Sequence, residues 1–262
     1  MAISEISETQ YVMGFLSEYF DLLRSSSATP RFLLPTTSQE PILGADFIVQ
    51  NVSGLDFFQF KRSDSFRRRR GRAEINAGIP RSFTPYYRFK IYNQGTYPQF
   101  DRLRQISSLS PFIRAYYCAP KFHLPREFHA AFYSRNIISL SAIINCSQFN
   151  NTRFYPPGFD INDGSPHFIV FNRTNPNAFL CSEAKEVDLS REFQLNEKRL
   201  DEKGFEEVVG SLYLSLMEHD KEFRDSISSN ATITSPIEET LMRLYKTTTF
   251  LSTRYNIHTI IR

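Results

Sequence analysis

The sequence predicts a mixed α/β fold of the α+β kind. A helix, three successive strands, a second helix and a further strand form a core with a mixed central sheet flanked by helices. A mainly helical C-terminal extension follows. Three observations predict this. Residues 7–23 carry apolar side chains at helical spacing. Residues 40–62, E-P-I-L-G-A-D-F-I-V-Q-N-V-S-G-L-D-F-F-Q-F-K-R, have the shape of a β-hairpin. A helix start at Thr96 precedes a buried-strand candidate, Phe112–Cys118, that ends at Pro120.

The first helix, residues 7–23, opens with Ser7 and Gln10, the spacing of a capping box. Val12, Phe15, Leu16, Tyr19, Leu22 and Leu23 form its apolar stripe. At 100° per residue Glu8 falls in line with Val12, Phe15 and Tyr19, and Glu18 falls near the rim. Arg31–Leu34 is a short strand ahead of Pro35. The hairpin strands lie near 44–50 and 55–62, joined by the turn chemistry of Asn51–Gly54. Residues 63–85 read as irregular and hold Pro80, Pro85 and the arginine run. Tyr86–Tyr92 alternates like a strand. Thr96, with Pro98 in the first turn and Gln99 three residues on, starts the second helix. Phe100, Leu103 and Ile106 are its apolar face.

Leu124–Ser134 is a further helix, Ile137–Ile144 a strand, 145–166 a loop and His167–Asn172 a strand. Helices are expected near 190–218 and 236–251, with Tyr255–Ile261 closing as a strand. The chain divides into a core, 1–145, containing a basic insert at 63–85, and an accessory region, 146–262, packed on it.

Hydrophobic content of 41% and charged content of 23% in 262 residues place the chain among ordinary soluble proteins with a substantial core. No apolar run is long enough to span a bilayer, and residues 1–9 lack the basic and apolar regions of a signal peptide. The three cysteines, Cys118, Cys146 and Cys181, have neither zinc spacing nor a disulfide framework, which points to a reducing, cytoplasmic setting. Charge is unevenly spread. Residues 61–90 hold ten Lys/Arg against two acidic residues, a local +8. Residues 182–225 hold thirteen acidic against seven basic, a local −6. The basic segment suggests a polyanionic ligand, and the acidic one a solvated helical face.

The chemistry concentrates in the hairpin. Side chains at i and i+2 share one face of a strand. Gln59 and Lys61 therefore point one way, and Phe58 and Phe60 the other. Asp46, after Gly44 on the first strand, is placed to meet them. A carboxylate, an amide oxygen and an ammonium in one place suit a hard, oxygen-loving divalent cation beside a nucleophilic water.

Helix, strand, strand, strand, helix, strand, with Glu8 in the first helix, Gly44-Ala45-Asp46 on the second strand and Gln59-Phe60-Lys61-Arg62 on the third, resembles the PD-(D/E)XK nuclease superfamily. The likeness is to its Mrr-type restriction branch, in which glutamine replaces an acidic residue. It covers roughly residues 4–120. One departure is that Pro41 precedes Asp46 by five residues rather than one. The resemblance implies a metal-dependent nuclease that hydrolyses DNA phosphodiester bonds, in bacterial defence against foreign DNA, alone or with a partner subunit.

It also implies that Asp46, the Gln59 side-chain oxygen and the Phe60 carbonyl hold Mg²⁺ or Mn²⁺, and that Lys61 orients water or stabilises charge on the phosphate. Glu8 would act through water, and Glu40 is a rival ligand. Arg62, Arg67, Arg68, Arg69, Arg70 and Arg72 would contact phosphates. Other readings stand beside these. Glu8 also fits a first-turn carboxylate favoured by the helix dipole, Glu18 a structural one, and the arginine run a solvated loop. Gln59 in place of a carboxylate fits a catalytically inactive nuclease fold that binds nucleic acid or a partner protein. The five histidines are scattered and read as structural. No P-loop, G-x-S-x-G or dinucleotide fingerprint is present.

Overall fold

The computed structural model describes residues 3–25, 31–34, 45–51, 54–67, 74–75, 78–91, 99–108, 112–149, 167–181, 185–189, 210 and 214. In chain order the elements are α1 (Glu8–Ser25), β1 (Arg31–Leu33), β2 (Phe47–Asn51), β3 (Gly54–Phe60), β4 (Asp64–Phe66), β5 (Tyr86–Ile91), α2 (Gln99–Ser108), β6 (Ile113–Pro120), α3 (Pro125–Tyr133), β7 (Ser141–Asn145), β8 (His167–Phe171), β9 (Asn177–Leu180) and β10 (Lys185–Asp188). They form two sheets of mixed α/β character. The central sheet has the order β1-β2-β3-β6-β7 and the second the order β10-β9-β8-β5-β4.

In the central sheet β1, β2 and β3 meander antiparallel, β6 runs parallel to β3, and β7 is antiparallel to β6. The parallel pair follows from the connection. A chain leaving β3 must cross over before it can run alongside in the same direction, and α2 lies on that crossover. All seven residues of β3 are buried, as expected for a strand covered on both faces. Phe58 and Phe60 face α1, whereas Leu55 and Phe57 face α2 and the second sheet.

α1 begins where Ser7 Oγ accepts a hydrogen bond from Gln10 N at 3.0 Å, which satisfies one free donor of the first turn. Tyr11, Phe15, Leu16, Tyr19 and Leu23 are buried. Phe15 and Tyr19 meet Phe58 edge-to-face at 5.8 and 5.2 Å between ring centroids, and Tyr11 and Phe15 meet Phe60 at 5.8 and 5.3 Å. Such pairs contribute about 0.5–1.5 kcal/mol each beyond the buried area. Leu22, expected in the stripe, is 39% exposed. Glu18 accepts from the backbone N–H groups of Ile137 and Ile138 at 2.7 and 3.2 Å, the structural role expected of it. α1 also packs closely at Gly14, where a Cβ would lie 2.5 Å from Ile137 and 2.8 Å from Phe128. On the same side of the sheet Asp56 is buried. It accepts from Tyr19 Oη and from Arg114 Nε, each at 2.5 Å.

The hairpin that carries the candidate site turns at Gly54. Its φ is +136°, and an added Cβ would lie 1.9 Å from the Phe112 carbonyl oxygen. That carbonyl accepts from Leu55 N at 2.9 Å, so it cannot move away without loosening β3 from β6. Gly54→Ala is therefore expected to cost about 3 kcal/mol or more, from left-handed strain plus a backbone collision. Urea unfolding measures this, and a change under about 1 kcal/mol contradicts it.

The second sheet departs from the sequence reading. Residues 63–85, expected to be irregular, contain β4, paired antiparallel with β5. The stretch 173–189, for which no element is expected, supplies β9 and the edge strand β10, which pairs with it. Ile137–Leu140, expected as strand, is turn, and β7 starts at Ser141. Strands of three or four residues hold too few positions to show period-2 alternation, and pairing with distant segments creates them. β5, from before the core's last strands, pairs with β8. The largest core cluster joins Phe57 and Tyr117 of the central sheet, Phe100 and Leu103 of α2, and Phe89, Phe171 and Leu180 of the second sheet. Among the described residues beyond 145, Cys146 and the strands β8, β9 and β10 thus share a core with the central sheet. Gly210 and Leu214 are helical. The rest of the expected helices at 190–218 and 236–251, and the expected strand 255–261, lie outside the described residues. Among the described residues no helix is long and apolar enough to cross a membrane.

Candidate active site

The site forms where the open end of the β2–β3 hairpin meets the first residue of α2. Asp46 N donates to Phe58 O at 2.9 Å, extending the hairpin ladder one residue ahead of β2. The Asp46 carboxylate reaches further along the neighbouring strand. Its Oδ2 accepts from Phe60 N at 2.7 Å and from Gln59 Nε2 at 2.6 Å. Lys61 N donates to Cys118 O at 2.9 Å, which anchors the end of β3 on β6. Gln59 and Lys61 lie on the face that α2 covers. Gln99, the first residue of α2, bridges them. Lys61 Nζ donates to Gln99 Oε1 at 3.0 Å, and Gln99 Nε2 donates to Gln59 Oε1 at 2.6 Å.

These contacts follow from local geometry. The strand repeat puts Gln59 and Lys61 on one face two residues apart, and Phe60 between them turns its ring into the α1 cluster. Its backbone N–H is left for Asp46. Gln59 is 1% exposed, so its amide must find partners within the protein.

Burial pushes the Asp46 carboxyl up to about 6. The Lys61 ammonium opposes this, as do the hydrogen bonds from Phe60 and Gln59, and Glu8 adds to the rise. A buried carboxylate whose neighbours do not fully compensate its lost hydration favours an added positive charge.

Not every expected residue joins this group. Glu8 lies in electrostatic reach of Asp46 but is exposed rather than buried in the α1 stripe. It is the first helical residue, and burial of that face starts only at Tyr11. Glu40 lies outside the described residues, as do Arg68, Arg69, Arg70 and Arg72. Arg62 is exposed, and its Nη2 donates to Ser4 O at 3.0 Å, tying the site's strand to the segment before α1. Arg67 is exposed and acts electrostatically on Tyr87 and His123. Gln99 enters the sequence reading only as a helix-start marker. No local pattern places it opposite Gln59, forty residues earlier, and only the packing of α2 does so.

The residues fit a divalent cation in their donor types. Asp46 and the Phe60 carbonyl are hard oxygen donors at one strand end, and the Gln59 amide, whose nitrogen faces both, adds a third when it turns its oxygen from Gln99 toward them. Among the described residues, the hydrogen bonds to the carboxylate from Gln59 and Phe60 both fall on Oδ2, and a ligand would meet Oδ1. Among the described residues no three His, Cys, Asp or Glu side chains come together as a metal cage. A cation here would rely on one carboxylate with neutral oxygens. His123 is buried beside the Tyr87 ring, with Glu127 Oε2 3.3 Å from its Nδ1, a packing role. No protein family, no curated protein and no solved structure matches this chain.

Proposed function

We propose that this chain is a metal-dependent nuclease with a restriction-endonuclease-like core, acting on DNA phosphodiester bonds in bacterial defence. One observation carries the reading. Asp46, Gln59, the Phe60 carbonyl and Lys61 converge at one end of a mixed sheet built in the order helix, three strands, helix, strand. The β1-β2-β3 meander with β6 parallel to β3 is compatible with that core.

Asp46 and the Phe60 carbonyl, with the Gln59 oxygen once its amide turns, would hold Mg²⁺ or Mn²⁺. A bound cation would supply charge against the phosphate oxygens and acidify an attacking water. Lys61 would donate to a non-bridging phosphate oxygen, where negative charge grows in the transition state. Glu8, in reach of Asp46 but exposed, would act through water. Arg62 and Arg67, with the arginines that follow, would hold the DNA backbone on the approach to the site.

Supercoiled plasmid, linear duplex and single strands incubated with the protein in Mg²⁺, Mn²⁺ or EDTA test this. Cation-dependent cleavage is expected, and its absence on every substrate in both cations rejects the reading. A second reading, an inactive nuclease fold that binds nucleic acid or a partner protein, has one observation in its favour. Gln59 presents its N–H group, not its oxygen, to Asp46. Binding of the same substrates without cleavage supports it.

The arginine run gives a separate expectation. Replacing Arg67, Arg68, Arg69, Arg70 and Arg72 by alanine should weaken binding to every DNA sequence alike. The log–log salt dependence should flatten by about 0.9 for each phosphate that no longer meets an arginine. Affinities of wild type and the five-alanine variant at several salt concentrations decide this, and an unchanged slope removes the run from the interface.

A further inference from the structure

We infer that Gln99 is a positioning residue that couples cation binding at Asp46 to the hold on Lys61, through a paired reversal of the Gln59 and Gln99 amides. The inference rests on the metal-dependent reading above. Three hydrogen bonds run in one direction. Lys61 Nζ donates to Gln99 Oε1, Gln99 Nε2 to Gln59 Oε1, and Gln59 Nε2 to Asp46 Oδ2, at 3.0, 2.6 and 2.6 Å. The ends dictate that direction. An ammonium only donates, and an ionised carboxylate only accepts. Each amide between them has one accepting and one donating side, so neither reverses alone without setting oxygen against oxygen or nitrogen against nitrogen.

A cation on Asp46 changes one end of the relay. The nearest amide must then present oxygen, because its N–H groups point positive charge at the ion. Gln59 turns, and its nitrogen faces Gln99. Gln99 turns in response to offer its oxygen, which brings its nitrogen to Lys61. Two donors then face each other, and the Lys61–Gln99 bond breaks. Cation on Asp46 and Lys61 on Gln99 therefore oppose one another, and linkage makes the opposition reciprocal. Without the ion the relay holds Lys61 toward the helix. With the ion Lys61 turns toward the phosphate, so its charge is delivered only when the site is loaded.

A double-mutant cycle on Mn²⁺ affinity, measured by calorimetry on the full chain without DNA, tests this. Its members are wild type, Lys61→Met, Gln99→Met and the double variant. Charge alone makes Lys61→Met tighten Mn²⁺ binding equally whether residue 99 is Gln or Met. The relay makes the tightening larger with Gln99 present, by about threefold or more. A smaller difference overturns the inference while leaving the metal-dependent reading in place. Failure of wild type to bind Mn²⁺ overturns both. Far-UV circular dichroism checks each variant, and Gln99→Ala replaces Gln99→Met if the methionine variant does not fold.

Discussion

Lys61→Ala is expected to lower cation-dependent DNA cleavage by about 10²–10³-fold, the loss typical of removing one donor aimed at developing transition-state charge. Folding and DNA binding should change little. The Lys61 side chain is half-buried, so solvent screens both its charged-donor bond to Gln99 and its attraction to the Asp46 carboxylate, and the bond is worth about 1.5 kcal/mol net. The backbone N–H that anchors β3 on Cys118 O is retained in alanine. Loss of kcat with KM nearly intact marks a group that acts in the transition state rather than in ground-state binding. Plasmid nicking under single-turnover conditions, with affinity measured in Ca²⁺, separates the two. A variant that cuts at the wild-type rate removes Lys61 from the chemistry.

Asp46→Asn is expected to abolish Mg²⁺-dependent cleavage and at the same time to stabilise the cation-free protein above neutral pH. Burial raises the carboxyl to about 6 in the folded chain, against about 4 in an unfolded one. Between those values the folded state binds more protons than the unfolded, so stability falls as pH rises through the window. At pH 8 the full cost is present. A shift of that size corresponds to about 2–3 kcal/mol, and asparagine avoids it while still accepting from Phe60 N.

Thermal unfolding at pH 8 in EDTA should therefore rank Asp46→Asn above wild type, with the gap narrowing as pH is lowered toward 4. Saturating Mg²⁺ should raise the wild-type Tm and leave that of the variant unmoved, because an ion that binds only the folded state stabilises it by mass action. Mn²⁺ should restore a little activity, since it binds similar ligands more tightly. A variant less stable than wild type at pH 8 would mean that Asp46 serves packing. Full activity in Mg²⁺ would place the cation elsewhere. At subsaturating Mg²⁺, where the cation-free site sets the titration, wild-type activity should rise with pH toward about 6 and then level off, and raising Mg²⁺ should move that rise to lower pH.

The two halves of the site were legible to different degrees. Gln59, Phe60 and Lys61 follow from the two-residue repeat of a strand, and the hairpin from apolar strands flanking Asn51–Gly54. The structure keeps both, with β2 and β3 close to the expected bounds. The α1 stripe was legible for the same reason, because its spacing repeats over several turns. Glu8 shows the limit of that reading. A helical wheel places its direction correctly but says nothing of how far along the axis the sheet reaches, and the first turn lies outside the buried face.

Local periodicity in the chain identifies the elements that repeat it, together with residue pairs held at fixed offsets within a strand or turn. Tertiary structure alone decided the rest. It set Gln99 between Gln59 and Lys61, turned the Asp46 carboxylate onto Phe60 N, and drew β4 and β5 into one sheet with β8, β9 and β10. The contacts of Gln99, the bond from Phe60 N to Asp46 and the joining of β5 to β8 link residues from 14 to 84 positions apart. No local repeat encodes such a pairing. It forms because each partner buries a face that has nowhere else to go, and that selection acts on the whole chain at once.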